Sequence, residues 1–203
     1  MNIKLNASGL TLFRGDRCLF KNLSFALNPG ELLLLEGRNG SGKTSLLRAI
    51  AGLLELESGS IHWDGAAISQ QRQVFQNSLV WMSHKVGFKG DLTLVENLQY
   101  ESRLRPQSSA DFDDTLKQLN LRKLRRLPMR SLSAGQQRRV ALARMLMSAA
   151  PLWMMDEPVS NLDSEGRELA VHMLDKHLSD GGMAIVAAHQ DIKLDAPTHK
   201  IQL

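Results

Sequence analysis

The strongest constraint on how this chain folds is one glycine-rich segment, Gly37-Arg38-Asn39-Gly40-Ser41-Gly42-Lys43-Thr44. It fits the spacing G-x-x-x-x-G-K-[ST], and it lies between an apolar run, Leu32 to Leu35, and a helical pattern from Thr44 to Ala51. Glycines let the backbone N–H groups of such a loop turn inward onto phosphate oxygens, and the following helix N-terminus adds about half a positive charge. The segment therefore predicts a buried strand, a phosphate-binding loop and a helix.

The residue types in this segment each suit a nucleotide. Lys43 would reach the β- and γ-phosphates, and the hydroxyl of Thr44 would hold Mg²⁺. The alternative is an ordinary glycine turn between a strand and a helix, which the lysine and the flanking pattern disfavour. We therefore expect the nucleotide to be bound by the whole loop and the serine that follows it: Gly37, Arg38, Asn39, Gly40, Ser41, Gly42, Lys43, Thr44 and Ser45.

Two adjacent carboxylates follow a second apolar run, Leu152 to Met155. Ligands of open α/β sheets bind at the carboxyl ends of the strands, so we expect Asp156 and Glu157 to lie near the phosphate loop. Asp156 suits a contact to Mg²⁺ through a coordinated water. Glu157 suits a group that orients, or takes a proton from, the water that attacks the γ-phosphate. A pair of solvated loop acids would be the better interpretation only if the phosphate loop were absent.

Composition limits the remaining choices. The chain has 203 residues, of which 43% are hydrophobic and 23% charged, so it can form the core of one ordinary domain. The single cysteine, Cys18, excludes an internal disulfide framework and fits a reducing compartment. The formal charge of +4 suits an acidic ligand or an anionic membrane surface, and no apolar run approaches the roughly 18 residues that cross a bilayer.

One basic run, Arg122-Lys123-Leu124-Arg125-Arg126, invites a nucleic-acid interpretation. Charge runs are more often solvated faces, so we expect a solvated face and no nucleic-acid partner. Contact with anionic lipid head groups, or with RNA, stays open as an alternative.

The order of patterns along the chain predicts an α/β core interrupted by a helical insertion. Alternating apolar residues indicate strands at 10–13, 23–27 and 60–65, and helical spacing dominates from about Val95 to Leu132. A helix at 134–149, a strand at 152–155, a helix at 164–178 and a strand at 184–188 complete the pattern.

The helix at 134–149 opens with Leu132-Ser133-Ala134-Gly135-Gln136, in which Ser133 and Gln136 form a capping-box pattern. The same residues resemble the signature motif of ATP-binding cassette (ABC) proteins, in which glycine usually stands where this chain has Ala134. Ser160-Asn161-Leu162-Asp163 is similar to the D-loop of that family, and His189 follows a strand as the family's switch histidine does. Together with the phosphate loop and the acidic pair, five motifs occur in family order.

This resemblance implies the P-loop NTPase fold of ABC ATPases: an α/β RecA-like core, an N-terminal antiparallel β subdomain and a helical insertion. It implies one nucleotide-binding domain over 1–203, with 1–83 and 150–203 as the α/β core and 84–149 as a helical subdomain ending in the signature helix. Two copies would pair head to tail around two ATP molecules with Mg²⁺. Ser133, Ala134, Gly135 and Gln136 of one copy, with Asp163 in the D-loop, would face the ATP held by Lys43 of the other; the catalytic residues would be Lys43, Glu157 and His189.

Two positions of the family pattern are left open. The family glutamine that helps to hold Mg²⁺ would be Gln76 or, counting back from the stretch that begins at Leu92, His84; we favour His84. Imidazole is a poor ligand for Mg²⁺, so His84 would bond a metal-bound water or a phosphate oxygen and make turnover more sensitive to pH. The ring that stacks on adenine would be Phe13 or the guanidinium of Arg14, and Phe13 as a core residue is an equal alternative.

Within the ABC family the chain is most similar to the ATPase subunit of bacterial cytochrome c maturation systems. The small size, Arg38 in the phosphate loop, His84-Lys85 and the absence of a C-terminal regulatory extension carry this resemblance. It implies a CcmB-like integral membrane subunit and CcmC-like and CcmD-like proteins as partners. It also implies a peripheral position on the cytoplasmic face of the inner membrane, and a role in the export of haem or its release from a carrier.

Two other functions remain as alternatives. A soluble ABC ATPase acting on the ribosome or on nucleic acid is disfavoured because only 90 positions separate Lys43 from Ser133, too few for inserted coiled-coil arms. A nucleotide-gated module that does not hydrolyse ATP is disfavoured by the presence of Lys43, Glu157 and His189.

Overall fold

The computed structural model describes residues 4–104, 106–189 and 194–203. Within these ranges nine strands form two sheets: β1 (Leu5–Arg14), β2 (Arg17–Leu27), β3 (Leu32–Glu36), β4 (Ser58–Trp63), β5 (Ala66–Ala67), β6 (Leu79–Met82), β7 (Leu152–Asp156), β8 (Met183–Ala187) and β9 (Thr198–Gln202). The first sheet is antiparallel with the order β2-β1-β4-β5, and the second is parallel with the order β6-β7-β8-β3-β9. The predicted α/β fold with an N-terminal antiparallel subdomain is confirmed.

In the part of the chain that the structure describes, six α-helices accompany the sheets: α1 (Lys43–Ile50), α2 (Arg72–Ser78), α3 (Leu94–Ser102), α4 (Phe112–Gln118), α5 (Ala134–Leu146) and α6 (Ser164–Ser179). Side chains at the caps set where several of them begin. Thr93 and Glu96 form a capping box at α3, and Asp163 accepts a hydrogen bond from the Gly166 N–H at α6. Helices α3, α4 and α5 lie within the segment 84–149 that the sequence assigns to the helical insertion.

The parallel sheet separates two hydrophobic cores. In β3, Leu32 and Leu34 face the core formed with α3, α5 and α6, whereas Leu33 and Leu35 face the core formed with the antiparallel sheet and α1. Side chains of a strand alternate between its faces, so a strand covered on both sides must be apolar at every position. This explains the uninterrupted apolar runs of β3, β7 and β8, all of whose core positions are buried.

The register of the parallel strands places the functional motifs at one edge. Strand β8 lies between β3 and β7, so the chain leaves these three strands at neighbouring points. The phosphate loop follows β3, Asp156 and Glu157 come at the end of β7, and His189 follows β8. Residues that are more than a hundred positions apart are thereby brought together by strand pairing alone.

The structure adds elements that the sequence patterns missed, extends the strands expected at 10–13 and 23–27 to Leu5–Arg14 and Arg17–Leu27, and shortens one helix. Helix α2 and strands β6 and β9 lack a clear period; β9, Thr-His-Lys-Ile-Gln, is an edge strand with mostly exposed side chains. The helix expected to run to Ala149 ends at Leu146, since Ser148 forms an antiparallel bridge with Gln107 and Pro151 follows.

Two expectations about surface properties can be compared with the structure. In the basic run, Arg122, Lys123 and Arg126 are exposed, and Arg125 lies 3.2 Å from Asp113, which agrees with a solvated face. Within the described residues, none of the helices has both the length and the apolarity needed to cross a bilayer.

The imidazole of His177, in α6, is stacked on a tryptophan ring in the apolar core. The ring of His177 lies parallel to Trp153 of β7, with centroids 4.0 Å apart, and its Nε2 is 3.2 Å from the Met183 carbonyl oxygen. It also lies against Gly182, where any Cβ would collide with the ring. Burial lowers the pKa of His177 to about 4, although hydrogen bonds to the carbonyls of Met183 and Pro151 oppose the shift.

We therefore predict that His177 makes folding sensitive to acid. Between its ordinary pKa of 6.5 and the folded value of about 4, the unfolded chain binds a proton that the folded chain does not, so the free energy of unfolding falls by up to about 3 kcal/mol as the pH drops. In His177→Phe, which keeps a stacked ring but cannot titrate, urea unfolding should lose this part of the pH dependence. The control His172→Gln changes an exposed histidine of the same helix and should keep it. An equal slope in wild type and His177→Phe would contradict the prediction.

Candidate nucleotide-binding site

The phosphate loop uses backbone conformations that glycine supplies. Gly37 has φ +146°, and a Cβ there would lie 2.6 Å from the Leu203 carbonyl oxygen and 2.7 Å from Ser41 Oγ. Gly42, at the N-cap of α1, has φ +118°. L-residues rarely adopt these values, so the glycines of the motif are required by the path of the loop. Helix α1 therefore begins at Lys43, directly after the turn that these glycines form.

Lys43 is held within this loop. Its side chain is buried, with 6% of its surface exposed, and Nζ donates hydrogen bonds to the carbonyls of Gly37 at 2.6 Å and Arg38 at 3.2 Å. Nζ also lies 3.5 Å from His189 Nδ1. The ammonium group is thus at the junction of the loops that follow β3 and β8, where it can meet a phosphate that enters the loop.

Thr44 and Asp156 are hydrogen-bonded across the sheet edge. Thr44 Oγ1 donates to Asp156 Oδ2 at 2.8 Å, and Asp156 is 3% exposed. A hydroxyl and a carboxylate are the oxygen donors that Mg²⁺ prefers, and Mg²⁺ is commonly held by one or two such groups together with substrate phosphates. The pair therefore fits the cation that the sequence predicts at these two residues.

Glu157 has a strained backbone and an unsatisfied carboxylate. Its φ is +54°, a left-handed value that is unusual for a residue with a side chain, and its N–H donates to the Ala187 carbonyl at 2.8 Å. Its Oε1 lies 3.2 Å from His189 Nε2, but the two are not aligned as a hydrogen bond. Among the described residues, Oε1 and the nearby Ser160 Oγ are buried without a hydrogen-bond partner, as is Ser41 Oγ in the phosphate loop. Such groups are typical of a site that completes its hydrogen bonds with a ligand.

These residues surround one cleft of about 550 Å³. Its positive side chains, Arg14, Lys43 and Arg48, outnumber its two carboxylates, which suits a polyphosphate. The lining also includes His84, Asn39, Gly40, Gly42, Thr44, Ser45, Leu19, Asp156, Glu157, Ser160 and His189.

The structure distinguishes the positions that the sequence left open. His84 follows β6 at the carboxyl edge of the sheet and lines the cleft, whereas Gln76 precedes β6 and donates to the Ala51 carbonyl at 2.7 Å in a different cavity. Arg14 also lines the cleft and Phe13 does not. The interpretation of Phe13 as a core residue is wrong, since 43% of it is exposed at the end of β1.

The signature residues lie apart from the cleft. Ser133 Oγ accepts a hydrogen bond from the Gln136 N–H at 3.2 Å, and Gln136 Oε1 accepts one from the Ser133 N–H at 2.9 Å, which forms the predicted capping box. A second hollow of about 500 Å³, here called the signature hollow, is lined by Ser133, Gly135 and Gln136 together with Asp163. A Cβ at Gly135 would lie 2.7 Å from the Asn161 carbonyl oxygen, so the D-loop packs directly on the signature turn.

Ala134 and Asp163, which the sequence assigns to the signature motif and the D-loop, lie at the starts of α5 and α6, but only Asp163 lines the signature hollow and Ala134 lines a different cavity. Ala134 opens α5 without a positive φ, so its Cβ causes no backbone strain. Asp163 accepts hydrogen bonds from the Gly166 N–H and from Arg139 Nη2, at 2.9 and 2.8 Å, and these lower the pKa of its carboxyl group. Asp163 therefore caps α6 and ties it to α5.

A sequence profile of the ABC transporter family matches residues 20–160. The chain belongs to the ABC transporter family. It is 42% identical over 202 residues to the cytochrome c biogenesis ATP-binding export protein CcmA of Vibrio parahaemolyticus, covering 98% of both chains. It is 43% identical to CcmA of Yersinia pestis, covering 98% of this chain and 90% of the relative, and 41% identical to CcmA of Methylococcus capsulatus, covering 98% and 97%.

Solved structures agree on the fold. An ATP-binding subunit of an ABC transporter superposes with a TM-score of 0.83 at 21% identity, covering 91% of this chain and 79% of the other. A dimeric ATP-binding cassette in a post-hydrolysis state with ADP and Pi superposes with a TM-score of 0.79 at 23% identity, covering 92% and 88%. The cassette is thus the ATP-binding and ATP-hydrolysing subunit of a membrane transporter, and the export relatives exclude the ribosomal alternative.

Three residues that line the nucleotide cleft were not assigned to it from the sequence: Arg48, Ser160 and Leu19. Arg48 lies one turn along α1 from Thr44, so its helical spacing from the loop could have indicated it. Ser160 lies in the quoted D-loop stretch without an assigned role. Leu19 reaches the cleft from β2, a contact that no local pattern announces because it depends on how the antiparallel sheet packs on the loop.

From the placement of His84 in the cleft we predict a specific effect on the pH–rate profile. An imidazole changes charge in the physiological pH range and an amide does not, so ATPase activity of His84→Gln should depend less on pH than that of wild type. Gln76→Ala serves as the control, because that side chain lies in another cavity, and its profile should match wild type. Phosphate release measured from pH 5.5 to 8.5 tests this, and an unchanged profile in His84→Gln would disprove the assigned role.

Proposed function

We propose that this cassette hydrolyses ATP for a membrane complex of c-type cytochrome biogenesis, in which it drives the export of haem or its release from a carrier. The observation that carries this proposal is the 42% identity spread over 98% of both chains with a protein named for cytochrome c biogenesis export. The cleft supports it, since it holds a phosphate loop, an oxygen pair for a cation and an unsatisfied carboxylate at one sheet edge.

Binding of ATP rests on the loop and on the cations around it. Backbone N–H groups of residues 37–45 and the N-terminus of α1 face the phosphates, and Lys43 transfers its hydrogen bonds from loop carbonyls to the β- and γ-phosphate oxygens. The guanidinium of Arg14, at the rim of the same cleft, stacks on the adenine ring. Thr44 and Asp156 are the residues that would hold Mg²⁺, which would neutralise negative charge on the phosphates.

Hydrolysis depends on Glu157 and His189. The Oε1 of Glu157, which has no hydrogen-bond partner among the described residues, orients the attacking water and receives its proton. The water oxygen bonds to the γ-phosphorus as the bond from that phosphorus to the β,γ-bridging oxygen breaks, so ADP leaves with the electron pair and inorganic phosphate is released. His189 lies between Glu157 and Lys43, at 3.2 Å from the carboxylate and 3.5 Å from the ammonium, so it donates a hydrogen bond to the γ-phosphate from a fixed position. His84, in the loop after β6, contacts a phosphate oxygen or a water in the same cleft.

A second copy completes the site. The signature hollow lies at the N-termini of α5 and α6, and its Ser133 hydroxyl and exposed helix N-terminus suit a phosphate anion. In a head-to-tail pair, Ser133 to Gln136 of each cassette meet the γ-phosphate held by Lys43 of the other, and Asp163 lies at the same interface. ATP then joins the two cassettes, and its hydrolysis separates them.

The complex also includes membrane proteins. A CcmB-like integral subunit, with CcmC-like and CcmD-like proteins, supplies the membrane-spanning part, and the cassettes attach to it at the cytoplasmic face of the bacterial inner membrane. Named relatives of the cassette are cytochrome c biogenesis export proteins, which supports these partners.

The cellular function can be tested by complementation. In a bacterium that lacks its own copy, the wild-type gene should restore haem-containing c-type cytochromes, detected by haem staining of gels. Lys43→Ala should fail although the protein accumulates, because the loop loses its phosphate-binding cation. Lys123→Ala removes an equal charge from an exposed turn and should complement. Restoration by Lys43→Ala, or unaltered cytochromes in the deletion strain, would contradict the proposal.

The two-copy site can be tested with two variants. Glu157→Gln should bind ATP but slow hydrolysis roughly 100-fold or more, so a closed dimer accumulates in ATP and is seen by light scattering. Ser133→Arg should bind ATP with nearly wild-type affinity and stay monomeric, because the new side chain blocks the partner's phosphate. A Glu157→Gln protein that dissociates freely in saturating ATP would contradict the shared site, as would full activity of Ser133→Arg.

A further inference from the structure

One charged side chain is buried beside the site without being part of it. Arg138, in the second turn of α5, is 2% exposed. All three nitrogens of its guanidinium donate hydrogen bonds to main-chain carbonyl oxygens. A buried charge is costly unless its hydrogen bonds are satisfied, and hydrogen bonds from a charged donor are stronger than those between neutral groups. The guanidinium of Arg138 therefore holds firmly the main-chain segments whose carbonyls it contacts.

These carbonyls belong to two loops at the edge of the parallel sheet. Nη1 donates to Ser83 at 3.0 Å and to His84 at 3.5 Å, in the loop after β6. Nε donates to Pro158 at 3.3 Å, and Nη2 donates to Asp156 at 2.6 Å and to Glu157, at the end of β7. Both loops supply residues that line the nucleotide cleft. One side chain of α5 therefore connects two walls of the cleft.

The arrangement also explains how Glu157 keeps its unusual backbone. With φ at +54°, the chain turns so that the carbonyls of residues 156, 157 and 158 all reach one guanidinium. The N–H of Glu157 is held on the other side by the Ala187 carbonyl. Left-handed conformations at residues with side chains persist only where the surroundings hold them. Burial lowers the pKa of Arg138, and the negative charges of Asp156 and Glu157 oppose that effect.

We propose that Arg138 is a positioning residue for ATP hydrolysis, which links the signature helix to the carboxylate and histidine of the cleft through their main-chain carbonyls. Arg138 lies five residues from Ser133 on the same helix, about 7 to 8 Å along its axis. When a second copy's γ-phosphate engages the N-terminus of α5, the loops that carry His84 and Glu157 move with the helix. Closure of the pair and alignment of the hydrolytic groups thus become one event. This inference rests on the proposed function.

Another arginine of α5 provides a matched control. The side chain of Arg144 is also mostly buried, and it donates to the carbonyls of Trp81 at 3.0 Å and Val86 at 3.3 Å. It ties the same helix to the β6 side of the sheet. Replacing Arg144 by glutamine therefore removes a buried guanidinium from α5 and leaves the three carbonyl contacts at 156–158 in place.

The test compares Arg138→Lys, Arg138→Gln and Arg144→Gln in the full chain, purified with its membrane partner. Arg138→Lys keeps the charge but cannot hold five carbonyls, so kcat for ATP should fall roughly 10- to 100-fold while KM and ATP affinity stay within about twofold. Arg144→Gln should lower the melting temperature at least as much, with kcat within about threefold of wild type. Combined with Glu157→Gln, Arg138→Lys should still form the ATP-dependent dimer, because the binding groups are intact.

Each outcome decides a separate point. The inference is overturned if Arg138→Lys has wild-type kcat, or if its kcat and ATP affinity fall together in proportion to its loss of stability, as a structural role would require. If Arg138→Gln does not fold, the lysine variant still decides, since it keeps the charge and most of the buried stem. A wild-type complex that hydrolyses no ATP would instead contradict the proposed function, and this inference with it.

Discussion

Parallel pairing of β3, β8 and β7 is the constraint on which the rest of this structure depends. Three strands that run in the same direction end at the same edge, and each is followed by a segment that must leave the sheet there. The phosphate loop follows β3, the acidic pair lies at the end of β7, and His189 follows β8. The Thr44–Asp156 hydrogen bond and the short separations of His189 from Lys43 and Glu157 follow from that pairing. The three strands are buried on both faces, so close packing fixes where each of them ends.

Several residues at this edge have left-handed backbone conformations. Gly37 and Gly42 adopt positive φ at no steric cost, whereas Glu157 adopts it with a side chain attached. Glu157 combines a left-handed backbone with a carboxylate oxygen, Oε1, that has no hydrogen-bond partner among the described residues, which indicates a site built for a ligand rather than for stability. The surrounding structure meets the cost with hydrogen bonds from Arg138 and to Ala187, which come from a helix and from a neighbouring strand.

The cleft and the signature hollow lie on different parts of one chain. The first is formed by the ends of the parallel strands, and the second by the N-termini of α5 and α6. Both offer groups suited to phosphate, which is why pairing of two copies completes the site in the proposed mechanism. Arg138 belongs to α5, the helix that begins at the hollow, and it donates hydrogen bonds to main-chain carbonyls of two loops that line the cleft. Within each chain it therefore connects the hollow to the cleft.

The amino-acid sequence alone determined the local features. Period and apolarity predicted β3, β7, β8, α5 and α6, because their burial requires patterns that are visible within a few residues. The glycine and lysine spacing predicted the phosphate loop, and the order of motifs predicted the family. The tertiary structure decided what depends on distant segments: that His84 rather than Gln76 enters the cleft, that Arg14 rather than Phe13 lines it, and that Arg138 binds two loops. Such contacts leave no local pattern in the sequence. Strand β6, which positions His84, is only four residues long, and nothing in the sequence distinguishes a buried arginine from an exposed one. These contacts exist only once strand order and helix packing bring the segments together.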